Sequence, residues 1–262
     1  MSAILSYREE EGMQTMTIAR RFRGPPNSGN GGYVCGMLAR HIPGAAEVTL
    51  RAPPPLETEL DVVALGADQW ELRQGTATIA IGRAITFDMS RLERATYAAA
   101  VEAEKRTPVK PHEHLLPMCF VCGPDRAPGD GLRLFAGPLV RQDDSVVFAV
   151  PWTPDPSLAA ADGLVAPEFV WSALDCPTGY VCTYDRETGG FNGLPILLGR
   201  LSARIERRPR PSERCVVTSW QTGSEGRRLI AEAALFGEEE NLLAVGRATW
   251  IVVDRQVQLG KT

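Results

Sequence analysis

The feature that most constrains this chain of 262 residues is a pair of short motif series that recur in the same order. The stretch RAPPPLETELDVVALG carries Pro53, Pro55 and Glu57, and RRPRPSERCVVTSW carries Pro209, Pro211 and Glu213 at the same spacing. Each then passes through a strand-turn-strand pattern to a matching strand, GRAITF over Gly82 to Phe87 and GRATWI over Gly246 to Ile251. Ordered self-similarity of this kind is the signature of one supersecondary unit used twice. The expected organisation is an N-terminal module over 1–88, a helical connector over 89–118 and a C-terminal module over 119–262.

Local patterning fills in each module. Met13 to Phe22 reads as a first strand and FRGPPNSG as a loop. Asn30 can N-cap a long, buried helix running through Ala39 to Ile42, with Gly44 as its stop. Strands are expected at Glu47 to Arg51, Leu60 to Gly66, Trp70 to Gln74 and Thr76 to Phe87, where Val, Thr, Ile and Leu alternate. SRLERATYAAAVEAEKR, from Ser90 to Arg106, is rich in Ala and Glu and predicts the connecting helix. The second half reads as strands at Leu132 to Phe135 and Val146 to Val150, a helix from Pro167 that holds Asp175, and a sheet over Leu197 to Val253. Pro177 has no N–H to give and must end or kink that helix.

Composition excludes several classes of function. A net charge of −4 is the wrong sign for a general nucleic-acid surface, which needs a basic excess to neutralise phosphates. No segment approaches the roughly 18 uninterrupted apolar residues of a membrane span, and MSAILSYREEEGMQ lacks the basic and apolar parts of a signal peptide. A cytoplasmic location is therefore expected, with no membrane or nucleic-acid partner. The cysteines, Cys35, Cys119, Cys122, Cys176, Cys182 and Cys215, read as reduced thiols in a chain large enough to fold without staples.

With Asn30-Gly31-Gly32 opening a helix, a proline-containing second strand, and the stretch CFVCGPDRAPGDGLRLF, the sequence resembles the hotdog-fold acyl-CoA thioesterases. The tandem arrangement is similar to the double-hotdog acyl-CoA thioesterase II group, and the second half resembles the phenylacetyl-CoA-type enzymes. The resemblance implies an α+β tandem (double) hotdog fold, each module a long helix wrapped by a curved antiparallel sheet. It also implies a thioester substrate between the modules, no cofactor, and assembly into a homodimer or higher homo-oligomer. In single-module relatives a His-Gly-Gly-like turn at one helix start faces an Asp or Glu from the partner's helix. Here Asn30 stands in place of the His, and Ala39-Arg40 stands where the first acid would be. In the second half Asp175 matches the acid, while the Gly-Gly position falls on Ala166-Pro167-Glu168. One intact and one degenerate site follow.

Thioester hydrolysis requires a base or nucleophile and donors for an oxyanion, and a helix N-terminus can provide the donors. The candidate catalytic set is Asp175, as base or nucleophile, with Asn30, Gly31 and Gly32; Glu168 is the second-choice acid. Tyr33, Phe169 and Trp171 are candidates for lining an acyl pocket. Arg207 and Arg208, within a cluster that includes Arg200, Arg204 and Arg210, could hold the phosphates of coenzyme A, or could equally solvate the outer face of a sheet. Cys119-x-x-Cys122, near His112 and His114, invites a zinc reading, but its spacing is unlike a zinc finger and no metal is expected. Cys176 has no histidine near it in sequence and reads as packing. The leading expectation is an acyl-CoA thioesterase, against a non-hydrolytic acyl-CoA-binding or regulatory protein. A hydratase or dehydratase is less favoured, because Tyr180 occupies the position where hotdog hydratases of the Asp-x-x-x-x-His pattern carry His.

Overall fold

A computed structural model of the chain describes residues 9–10, 13–89, 91–142 and 145–260. Ser90, the expected start of the connector, lies outside them. In chain order the elements are β1 (Glu9–Glu10), β2 (Met13–Thr17), α1 (Gly31–Ala39), β3 (Ala46–Leu50), β4 (Glu59–Ala64), β5 (Gln69–Gln74), β6 (Ala77–Ala84) and α2 (Tyr97–Glu104). They continue with β7 (Gly137–Pro138), β8 (Val147–Trp152), α3 (Pro167–Ala173), α4 (Cys176–Cys182), β9 (Ile196–Ile205), β10 (Cys215–Glu225), β11 (Arg228–Phe236), β12 (Leu242–Val252) and α5 (Arg255–Gln258). No helix among the described residues is long and apolar enough to cross a membrane.

All twelve strands form one antiparallel sheet in the order β1-β2-β4-β5-β6-β3-β9-β12-β11-β10-β8-β7. Outward from the middle, β3-β6-β5-β4-β2 in one half answers β9-β12-β11-β10-β8 in the other. The halves join along β3 and β9, where Glu47 pairs with Ser202 and Ala46 with Ala203. Gly82 leaves room on the sheet for Leu38 and Ile42, and Gly246 leaves it for Leu174. The Gly29 N–H, just before α1, donates to Pro54 O, and the Val165 N–H, just before α3, donates to Pro209 O.

One core spans both halves, with α1 packed against α3 on the sheet. Neither helix is long. Instead of continuing to Ile42, α1 ends at Ala39 and closes in tighter turns, His41 N–H to Leu38 O and Ile42 N–H to Ala39 O, because Pro43 disfavours helix in the residue before it. The second-half helix is broken into α3 and α4: Pro177 cannot donate to Ala173 O, and Asp175 at the break leaves helical geometry, with φ −79° and ψ −86°. Asp175 therefore sits between helices, not within one.

Three further expectations are corrected. Leu132 to Phe135 does not join the sheet: the Leu132 and Leu134 N–H groups donate to Phe120 O and Val121 O, so this segment pairs with a loop. Past Thr17, the first strand gives way to a 3-10 turn over Arg20–Phe22. Among the described residues of Ser90 to Arg106, only α2 is helical, and it buries Ala100 and Ala103 against Ala149 and Val216 on the outer face of the sheet.

The closest helix contact is made by glycine. A Cβ on Gly36 would lie 2.6 Å from Glu168 Cα and 2.8 Å from Trp171 Cβ. Gly36→Ala should therefore cost about 1–3 kcal/mol by forcing α1 and α3 apart. Gly66→Ala, where an added Cβ meets nothing within 4 Å, should leave the unfolding midpoint nearly unchanged in the same thermal melt.

Candidate active site

Asn30 caps α1 as its sequence position predicts, its side-chain oxygen accepting from the Tyr33 N–H at 2.9 Å. The amide nitrogen of the same side chain donates to Asp175 Oδ2 at 2.9 Å, and the Gly32 N–H donates to the same oxygen at 3.0 Å. This approach is possible because Gly32 has no side chain: a Cβ there would lie 2.5 Å from Asp175 Cβ. Asp175 is 1% exposed, and its Oδ1 has no protein partner. One carboxylate oxygen is thus anchored and the other is uncommitted. Burial pushes the Asp175 carboxyl up to about 7, reinforced by negative charge at Cys119 and opposed by the Gly32 and Asn30 hydrogen bonds. The Gly31 N–H, first in the helix, has no acceptor among the described residues.

Asn30, Gly31 and Asp175 line a cavity of about 570 Å³. Most of its wall is apolar, including Leu50, Leu116, Leu198, Phe191 and Trp250, and Arg51 also lines it. The candidate catalytic residues are therefore brought together. The candidate substrate-binding residues are not. Tyr33 stacks on the half-buried Phe22 with centroids 4.2 Å apart, and the buried Phe120 and Phe169 complete a four-ring cluster. Trp171 is buried against Gly36. None of Tyr33, Glu168, Phe169 or Trp171 lines the cavity; their apolar surface is used in joining the halves. Arg207 pairs with Glu213 at 2.7 Å and Arg208 with Asp162, also away from the cavity. Arg204 likewise pairs with Glu206 at 2.6 Å, and Arg200 with Glu47 at 3.5 Å.

At the other end of the α1–α3 contact the chemistry differs. Glu168, at the start of α3, is buried and meets Arg40 Nη1 at 3.5 Å. Burial raises the Glu168 carboxyl above its usual range, and the Arg40 charge partly opposes the shift. This contact also presents Pro167, which has no N–H, as the first helical residue.

Two features of the cavity wall were not apparent in the sequence. Arg51 follows β3 directly, at the start of the RAPPPLETELDVVALG stretch, in which nothing local marks the cation as facing a cavity. Cys176 meets the Cys119-x-x-Cys122 turn, its sulfur 3.8 Å from Cys119 Sγ, although 57 residues separate them. Cys122 and Cys176 hydrogen-bond to the Cys119 sulfur and hold its thiol well below the usual range. His112 is exposed and His114 Nδ1 accepts from the Leu116 N–H; neither belongs to this cluster.

Asn30 serves the cap and Asp175 at once, and the two roles separate by substitution. Asn30→Ala should destabilise the protein by about 1–2 kcal/mol in chemical denaturation, through the lost cap and an under-satisfied buried carboxylate. Asn30→Ser, which restores a capping oxygen without the amide donor, should recover part of that loss.

No family model matches this sequence, and no curated protein is similar to it. Solved structures are similar over nearly the whole chain. An acyl-CoA thioesterase II of Mycobacterium marinum has a TM-score of 0.60 at 12% identity, covering 95% of this chain and 96% of that one. A conserved hot dog fold protein of unknown function from Alicyclobacillus acidocaldarius gives 0.60 at 9%, with the same coverage. A TesB protein of Mycobacterium avium subspecies paratuberculosis gives 0.57 at 12%, again over 95% and 96%. At these identities the likeness is one of architecture: this chain has the hotdog fold, in the arrangement of a large antiparallel sheet found in solved structures that include acyl-CoA thioesterase II.

Proposed function

We propose that the chain is a tandem of two hotdog modules, 1–88 and 119–262 joined by 89–118, that hydrolyses the thioester of an acyl-CoA in the cavity beside Asp175. The observation that carries this reading is the division of labour within one buried carboxylate. Asp175 Oδ2 is held by Asn30 and Gly32, while Oδ1 has no protein partner. A water on Oδ1 gives up its proton to Asp175 as its oxygen attacks the thioester carbonyl carbon. The carbonyl oxygen becomes an oxyanion, and the Gly31 N–H at the positive end of α1 stabilises it. Collapse breaks the C–S bond, and the departing thiolate takes up the proton, yielding a carboxylic acid and free coenzyme A.

The apolar wall suits a medium-chain or aromatic acyl group. Arg51 is the cation this cavity offers to the phosphates of coenzyme A. The mirrored contact is not a second site on this reading, since Pro167 lacks the N–H that Gly31 supplies and Arg40 lies against Glu168. A second reading, acyl-CoA binding without turnover, is favoured by one observation. The Gly32 N–H and the Asn30 amide already bond to Asp175 and are not directed at a ligand.

Thiol release from a panel of acyl-CoAs distinguishes the two. Asp175→Asn keeps the shape of the side chain and removes the base, so turnover should fall by about 10²-fold or more while acyl-CoA binding survives. Full hydrolysis by this variant would sink the catalytic assignment, and wild-type binding without cleavage would put the binding protein in its place. Arg51→Ala should raise KM for an acyl-CoA with little change in kcat. It should leave KM unchanged for the matching acyl-pantetheine thioester, which lacks the nucleotide phosphates.

A further inference from the structure

Three thiols converge in the cavity wall, and the hydrolysis proposed above uses none of them. Cys119, Cys122 and Cys176 are buried, unbridged, and have their sulfur atoms all within 4.8 Å of one another. Packing alone explains isolated small side chains such as Cys35, Cys182 and Cys215. It does not explain why two distant segments should bring three sulfurs to one point.

The local backbone is shaped around Cys119. Its sulfur accepts from the Asn30 amide at 3.9 Å, and the turn closes through Gly123 N–H to Cys119 O at 2.8 Å. Position 123 has no space for a side chain, since a Cβ would lie 2.5 Å from Cys119 O. Hydrogen bonds of this kind to a thiolate are the outer support that orients a metal ligand. The spacing fits as well. A tetrahedral centre with metal–sulfur bonds of about 2.3 Å has sulfur–sulfur edges of about 3.8 Å. Cys119 and Cys176 are 3.8 Å apart.

We propose that Cys119, Cys122 and Cys176 bind one zinc ion as a three-thiolate site whose fourth position opens to the cavity. All three residues line that cavity, so a water or a small thiol can complete the tetrahedron. Binding releases the thiol protons of Cys122 and Cys176 to solvent and, with Cys119 as the anion, forms three zinc–sulfur bonds with no change of oxidation state. The site differs from the one that Cys-x-x-Cys near His-x-His suggests, because its third ligand comes from the start of α4 and neither histidine takes part. It does not rest on the thioester reading.

The test uses the full chain, reduced, chelator-treated and free of substrate, titrated anaerobically with cobalt(II). One equivalent should produce thiolate-to-cobalt charge-transfer absorption together with the visible bands of a tetrahedral ion, and zinc should abolish both. Cys176→Ser should weaken binding by at least about 10²-fold, whereas Cys182→Ser should leave the spectrum as it was. X-ray absorption of the zinc-loaded wild type needs no variant to fold, and should show about three sulfur neighbours at about 2.3 Å. A wild-type titration without thiolate charge transfer, a Cys176→Ser spectrum of full intensity, or a zinc shell of nitrogen and oxygen alone would overturn the proposal. None of these outcomes bears on whether Asp175→Asn loses turnover.

Discussion

Where α1 crosses α3 and the break that follows it, glycines of α1 leave no side chain of their own in the contact. Gly32 and Gly36 stand four residues apart on one face of α1, and an added Cβ on either would lie within 2.6 Å of Asp175 or Glu168. Residues spaced this way share a helix face. Their bareness allows elements from both halves to lie on a single sheet, and it exposes the Gly32 N–H to Asp175 Oδ2. A methyl group at position 32 would at once separate the halves and take the carboxylate away from the helix start.

A buried carboxylate is costly unless its oxygens are satisfied. Here the cost is partly offset by two donors, one from a helix N-terminus and one from the side chain that caps it. The site is therefore tied to helix formation: if α1 fails to form, Asp175 loses both partners together. The break at Pro177 matters in the same way. An unbroken helix would hold residue 175 at helical dihedrals, whereas the departure at ψ −86° is the geometry in which Asp175 Oδ2 meets the Asn30 amide and the Gly32 N–H.

The two ends of the α1–α3 contact differ in chemistry. On one side a glycine-opened helix meets an aspartate; on the other a proline-opened helix brings Glu168 to Arg40. The aromatic cluster of Phe22, Tyr33, Phe120 and Phe169 lies between elements of both halves. These four rings hold the halves together, and the apolar part of the cavity wall comes from aliphatic side chains with Phe191, Tyr180 and Trp250.

Much of this was legible in the residues themselves. The Gly-Arg-Ala stretches read as strands, and Gly82 and Gly246 both lie in strands against helix side chains, because backbone requirements at tight contacts leave local traces in sequence. Asn30 read as a cap and Pro177 as a break for the same reason: both act within a few residues of themselves. Burial of Asp175 could be inferred from its apolar neighbours. The direction of a side chain, however, depends on which distant element lies opposite, and local patterning does not carry that. Tyr33, Phe169 and Trp171 turn into the junction between the halves, Arg207 and Arg208 are held by Glu213 and Asp162, and Leu132 to Phe135 pairs with a loop. Cys176 meets Cys119 only because the chain returns across one sheet to the same point. Sequence determined where helices start and break and which segments repeat, since those are local matters of hydrogen bonds and sterics. Tertiary structure alone decided which side chains share a cavity, since that depends on packing between residues more than fifty positions apart.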